Sequence, residues 1–223
     1  MITRALLDVC DHHWQQSAGM IDATVGVFLR AWKFDGKSPP PDSREIAALR
    51  PLVGWEKIRS QRDQLFLPYG MRLDLGGIVK EYAVDLIADF LASTLTTGGI
   101  MVNFGGDIRA IRPTADQSPW RIALELGESA NNEPRVLAIR QGGIATSGDY
   151  KRLAIDCEGK RFGHILNPHT GWPIANGPSR VSVISQTAQQ SGFLSTLAML
   201  QGEQAQTFLQ QQGVPYYCQI PSP

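Results

Sequence analysis

Between Ile100 and Ser185 seven short apolar runs follow one another, and nothing between them reads as a helix. The runs are residues 100–104, 107–111, 120–126, 135–140, 143–146, 161–166 and 179–185. Parallel neighbours need a crossover of a dozen or more residues, usually helical, whereas antiparallel neighbours can join through tight turns. This series therefore predicts an α+β protein whose sheet is largely antiparallel, not a doubly wound parallel one. The 223 residues can bury a sizeable core, as one domain over 1–223 or as two intertwined α+β subdomains.

Helices flank the strand series. Ile2, Leu6, Cys10 and Trp14 recur every four residues and predict an amphipathic helix over 2–17. Residues 22–32 read as a second helix, with Asp22 or Thr24 as its cap. Three prolines make 33–43 a loop. Asp42 and Glu45 then suit a capping box for a short helix ending near Leu49. Short strands are expected near 53–59, 64–67 and 71–75. A helix over 79–92 should bury Val79, Ala83, Leu86, Ile87 and Phe90 on one stripe. Thr187 and Gln190 form a second capping box opening a helix over 188–201, followed by a helix at 203–212 and a strand at 214–219.

Charge narrows the partners. Lys+Arg and Asp+Glu number 21 each, so the formal net charge is zero and no basic surface for nucleic-acid phosphates is indicated. Cys10, Cys157 and Cys218 match no metal or redox spacing and read as buried or half-buried free thiols. The opening "MITRALLDVC" lacks the pattern of a signal peptide, and no apolar run reaches 18 residues, so no membrane span is expected. The compartment stays open.

Five glycine-punctuated stretches carry the candidate chemistry. In "DLGGIVKEYAVD" (74–85), Gly76–Gly77 allow close approach of a ligand, the following helix start favours an anion, and Lys80 adds a cation. A tight strand-to-helix turn with a solvated Lys80–Glu81 pair would leave the same pattern. In "VNFGGDIRA" (102–110), Gly105, Gly106 and Asp107 read as a hairpin, or as the second wall of a phosphate or sugar pocket. Thr146, Ser147 and Gly148 of "ATSG" read as a small-residue turn whose N–H groups and hydroxyls could hold phosphate oxygens, or as an ordinary loop. His164 precedes the compact turn "NPHTG" and is either a general base or a structural histidine. Ser191, Ser195 and Thr196 lie on an otherwise apolar helix, where hydroxyls usually cap or back-bond.

Taken in order and with these gaps, the five stretches resemble the ApbE family of flavin transferases. "GMIDATVGVFLRAWKF" (19–34) also resembles that family's "FDPTV…WGF" segment, and the likeness runs from about Ser17 to Gly202. It implies Mg²⁺-dependent transfer of FMN from FAD to a Thr or Ser hydroxyl of an acceptor flavoprotein. It implies FAD contacts at Met20, Ile21, Asp22, Asp74, Lys80 and Ile165. The small-residue turns at 74–80, at Gly105, Gly106 and Asp107, and at Thr146, Ser147 and Gly148 can themselves expose backbone N–H groups to a pyrophosphate and are expected to hold it. The carbonyl of Gly77 and the side chains of Ser195 and Thr196 would face the metal, and His164 would take the acceptor's proton.

Three positions depart from the family pattern. Gly192 stands where members carry a metal-binding aspartate, Asn167 replaces the aspartate of the His–x–x–Asp–Pro element, and Glu81 replaces a glycine. A segment of several dozen residues preceding the matched region is expected to be missing. The alternative to an enzyme is a weak or inactive homologue that only binds FAD or serves a structural role.

Overall fold

The computed structural model describes residues 2–61, 64–124, 135–149 and 152–220. Its centre is a five-stranded antiparallel sheet in the order β11-β10-β7-β4-β3. These strands are β3 (Ile100–Phe104), β4 (Asp107–Arg112), β7 (Gly142–Gly148), β10 (Arg180–Ser185) and β11 (Tyr216–Gln219). Three two-stranded pairs surround it: β1 (Arg59–Gln61) with β2 (Gln64–Phe66), β5 (Trp120–Leu124) with β6 (Arg135–Ile139), and β8 (Leu153–Ile155) with β9 (Arg161–Gly163). The α+β, antiparallel expectation holds. Positions 125 and 126 of the expected strand 120–126 lie outside the described residues.

Helix α3 (Val79–Thr94) packs on β3 and β4, and α4 (Ala188–Leu200) on β7 and β10, so the two helices meet on one face of the sheet. Val181 and Val183 pack there with Leu194, Ala198 and Met199, joined by Leu209 of the helix α5 (Ala205–Gln212). On the opposite face, Ile108, Ala110 and Ile144 pack against Leu124 and Ile139 of the β5–β6 pair. Helix α1 (Ile2–Gln16) buries Leu6 and Cys10 against Ala23, Trp55 and Ile78. A further cluster joins Val27, Phe28 and Trp32 to Ile46 of α2 (Ser43–Leu49) and to Leu166.

Several expectations need correction. Residues Ala23–Arg30 wind as a 3-10 helix, not an α-helix, with Asp22 as the cap. Residues 71–75 form no strand; the segment is anchored instead by the Asp74 N–H donating to the Ala23 carbonyl at 2.7 Å. Trp55–Lys57 is a 3-10 turn, and the strand predicted there begins only at Arg59. The 161–166 strand stops at Gly163, and β8 had no counterpart in the prediction. Thr146–Gly148 is not a turn: β7 continues through it, paired residue by residue with β10. Cys157 is exposed, not buried.

The largest correction concerns α3. Its predicted stripe faces outward, with Val79 41% and Phe90 64% exposed and Leu86 and Ile87 also exposed. The buried face is Glu81, Val84, Asp85 and Ala88. Two carboxylates lie inside because each meets a specific neighbour there.

Candidate active site

A cleft of about 240 Å³ opens between the 3-10 helix, the "DLGG" turn, β7 and α4. A second cavity of about 490 Å³ adjoins it and shares Thr146, Gly148, Arg152 and His164. Together they fall in the roughly 300–1,000 Å³ range of small-molecule sites.

One wall is made by residues 20–23 and 74–81. Asp74 organises its own turn, its Oδ1 accepting the Gly76 N–H at 2.8 Å. The turn is pressed against the 3-10 helix because Gly26 has no side chain: a Cβ there would stand 2.8 Å from the Asp74 nitrogen. A Cβ on Gly77 would touch nothing, so the space beside its backbone is free for a ligand. Asp22 lines the cleft, but its carboxylate is already committed. Oδ1 accepts the Thr24 N–H at 2.7 Å and Oδ2 the Trp55 N–H at 2.9 Å.

The facing wall is a central strand packed on a helix. Alternation along β7 sends successive side chains to opposite faces. Thr146 Oγ1 meets Ser182 Oγ at 2.7 Å on one side. Ser147 Oγ meets Ser195 Oγ at 2.8 Å and Thr196 Oγ1 at 2.9 Å on the other. Thr196 borders the cleft. Ser195 does not: it is fully buried and donates to the Gly192 carbonyl at 3.1 Å.

Charge is concentrated where α3 meets the β3–β4 turn. Gly105 and Gly106 both take positive φ (61° and 101°), which lets the hairpin turn back tightly into Asp107. Asp107 is 2% exposed and ion-paired with Lys80. Lys80 therefore pairs with Asp107 and not with Glu81. Glu81 is 8% exposed, and its Oε2 has no hydrogen-bond partner among the described residues. Burial first, and repulsion from Asp107 second, push its carboxyl up to about 7.

His164 borders both cavities. Burial, then the nearby Arg152 charge, pull its pKa below the ordinary imidazole value, so the neutral form prevails at pH 7. The ring also hydrogen-bonds the Arg152 backbone, while Nδ1 has no partner among the described residues. The "NPHTG" turn beside it is held by Asn167, whose Oδ1 accepts the His169 N–H at 2.8 Å. The amide thus performs the turn-forming part of an aspartate's work without its charge.

A sequence model of the ApbE family matches residues 2–218. The chain belongs to the ApbE family. It is 34% identical over 194 residues to the FAD:protein FMN transferase of Vibrio cholerae serotype O1, covering 83% of this chain and 57% of that protein. It is 32% identical to the Haemophilus influenzae protein of the same name, covering 83% of this chain and 56% of that one. The chain thus spans just over half the length of the curated relatives it matches. Among solved structures, the ApbE protein of Thermotoga maritima superposes with a TM-score of 0.84 at 28% identity, covering 97% of this chain and 72% of that one. The apo flavinyl transferase ApbE of Pseudomonas stutzeri gives 0.84 at 28% identity, covering 100% and 70%.

Within this ApbE chain, the cleft gathers Met20, Ile21, Asp22, Asp74, Gly77, Lys80, Thr146, Ser147, Gly148, His164, Ile165 and Thr196. Gly105, Gly106 and Asp107 line the adjoining cavity instead. Arg152, which lines both, was missed in the sequence, where an arginine after a loop carries no signal. Gly26 was missed too, since only a close approach by a distant segment gives it a role.

Proposed function

We propose that the protein is an FAD:protein FMN transferase that moves FMN to a Thr or Ser hydroxyl of an acceptor protein with the help of Mg²⁺. The observation that carries this reading is the neutral His164, its Nδ1 unpartnered, across one cleft from the "DLGG" turn and Lys80. Phosphoryl transfer asks a protein for positioning and charge neutralisation more than for covalent chemistry. The acceptor oxygen attacks the flavin-side phosphorus of FAD, forming a new P–O bond. The pyrophosphate P–O bond to the adenylate breaks and AMP leaves. His164 takes the hydroxyl proton at Nδ1, while Arg152 and Lys80 add positive charge near the pyrophosphate.

Among the described residues no three His, Cys, Asp or Glu side chains converge as a metal centre. A hard cation would rely on few carboxylates plus hydroxyl, carbonyl and water oxygens, a set that suits Mg²⁺. The orphaned buried oxygen of Glu81 fits such a group, with Thr196 and the Gly77 carbonyl as further candidates. When bound, Mg²⁺ would neutralise phosphate oxygens.

No described helix is long and apolar enough to cross a membrane. The second reading, a homologue that binds FAD without transferring FMN, is favoured by Gly192, which offers no ligand. One incubation separates them: protein, FAD, Mg²⁺ and a Thr-bearing acceptor peptide. Transfer adds an FMN mass to the peptide and releases AMP; FAD binding without either outcome supports the second reading.

A further inference from the structure

Three buried or partly buried ionisable groups meet above α4. Lys80 pairs with Asp107, and Glu81 stands beside both with one carboxylate oxygen unpartnered. Two carboxylates thus share a single lysine, in a place where an unpaired buried charge is costly. The helix below makes room for Glu81. A Cβ built on Gly192 would lie 2.7 Å from Glu81 Cγ and 2.9 Å from Glu81 Oε1. The Glu81 side chain therefore occupies the space that the first carbon of any side chain on Gly192 would need.

Oxygen donors continue from that point. Ser195 Oγ donates to the Gly192 carbonyl, Ser147 Oγ links Ser195 to Thr196, and both Glu81 and Thr196 border the cleft. A strip of carboxyl, carbonyl and hydroxyl oxygens is suited to a hard divalent cation and poorly suited to a soft one.

We infer that Glu81, reaching across from α3, is the carboxylate ligand of a Mg²⁺-type cation in this cleft and takes the place of a side chain that α4 lacks at Gly192. The inference rests on the flavin-transfer reading for the use of that cation, but cation binding can be measured without any transfer.

The test is a Mn²⁺ titration followed by the loss of the free-ion electron paramagnetic resonance signal, with and without ADP. Wild type should bind Mn²⁺, and Glu81→Gln, which keeps the shape and removes the charge, should bind at least tenfold more weakly. Gly192→Asp alone should gain nothing, because its side chain collides with Glu81. Glu81→Gly combined with Gly192→Asp should return to within a few-fold of wild type. Undiminished affinity in Glu81→Gln, absence of Mn²⁺ binding by wild type, or a folded double variant that fails to recover would each overturn the assignment. Failure of FMN transfer alongside a normal Mn²⁺ response would instead count against the proposed activity and leave the ligand assignment standing.

Discussion

Asp85 on α3 accepts the Ala188 N–H at the start of α4, Oδ1 to nitrogen 2.9 Å, and its Oδ2 accepts the Gln189 N–H at the same distance. A buried carboxylate thus caps a helix that begins 103 residues later in the chain. Arg109 Nε lies 3.9 Å from Oδ1, too far for a hydrogen bond but near enough to offset the charge. Because Glu81 sits one turn before Asp85, this contact also sets how α3 meets Gly192.

Replacing Asp85 by Ala should therefore cost stability and not merely surface charge. Two N–H groups lose a charged acceptor and Arg109 loses its neighbour, at about 3 kcal/mol. Urea denaturation of the two proteins checks this; a loss below about 1 kcal/mol would mean that water replaces the cap.

His164→Ala should lower FMN transfer by about 10²–10⁴-fold while FAD affinity stays within a few-fold, since a proton acceptor acts on the chemical step. In wild type the midpoint of the rising limb of the rate should lie below the ordinary imidazole value, because burial keeps the imidazole neutral to lower pH than usual. A pH–rate profile with calorimetric FAD titration reads both. Unchanged turnover in the variant would leave His164 as a structural residue.

Gly26→Ala puts a methyl group 2.8 Å from the Asp74 nitrogen, and backbone must move to admit it. The expected cost is roughly 1–3 kcal/mol, with weakened FAD binding because the "DLGG" turn shifts. A thermal melt and an FAD titration of the variant give the two numbers. Full affinity at reduced stability would separate the turn from the flavin.

His13 offers a pH test away from the cleft. It is buried against Phe193, ring centroids 4.8 Å apart, with His12 as the neighbouring charge. Burial pulls its pKa down to about 4. A depressed folded value means that stability is present above the unfolded value of about 6.5 and is lost as pH falls toward 4. Wild type should lose on the order of 2–3 kcal/mol more than His13→Leu across that window. Parallel denaturation curves at pH 7 and pH 4.5 would rule the effect out.

Local signals were legible wherever one short segment sufficed. Thr187 caps α4 as its spacing with Gln190 predicts, Asp42 caps α2, and the Gly105–Gly106 turn closes the β3–β4 hairpin. Relations between distant segments were not. The apolar period of α3 pointed to Leu86 and Phe90 as core, yet Glu81 and Asp85 face inward, because their partners, Gly192 and Ala188, lie on another helix. "ATSG" looked like a turn because Thr, Ser and Gly are turn formers. Pairing with β10 overrides that preference and extends the strand through all three.

That override bears on how the site behaves in time. Thr146, Ser147 and Gly148 are paired with β10 along one edge, whereas the register with β4 covers only Gly142–Ile144 and leaves the other edge at this end beside the adjoining cavity. Amides locked in the middle of a sheet open only in large cooperative events, whereas loop amides fluctuate freely. Hydrogen exchange should accordingly be slowest around Gly143 and Ile144, which β7 shares with both neighbours, and faster toward Gly148. A nucleotide arriving at the 146–148 end meets a strand already ordered along its β10 edge and open along the other, so little chain entropy is surrendered on contact.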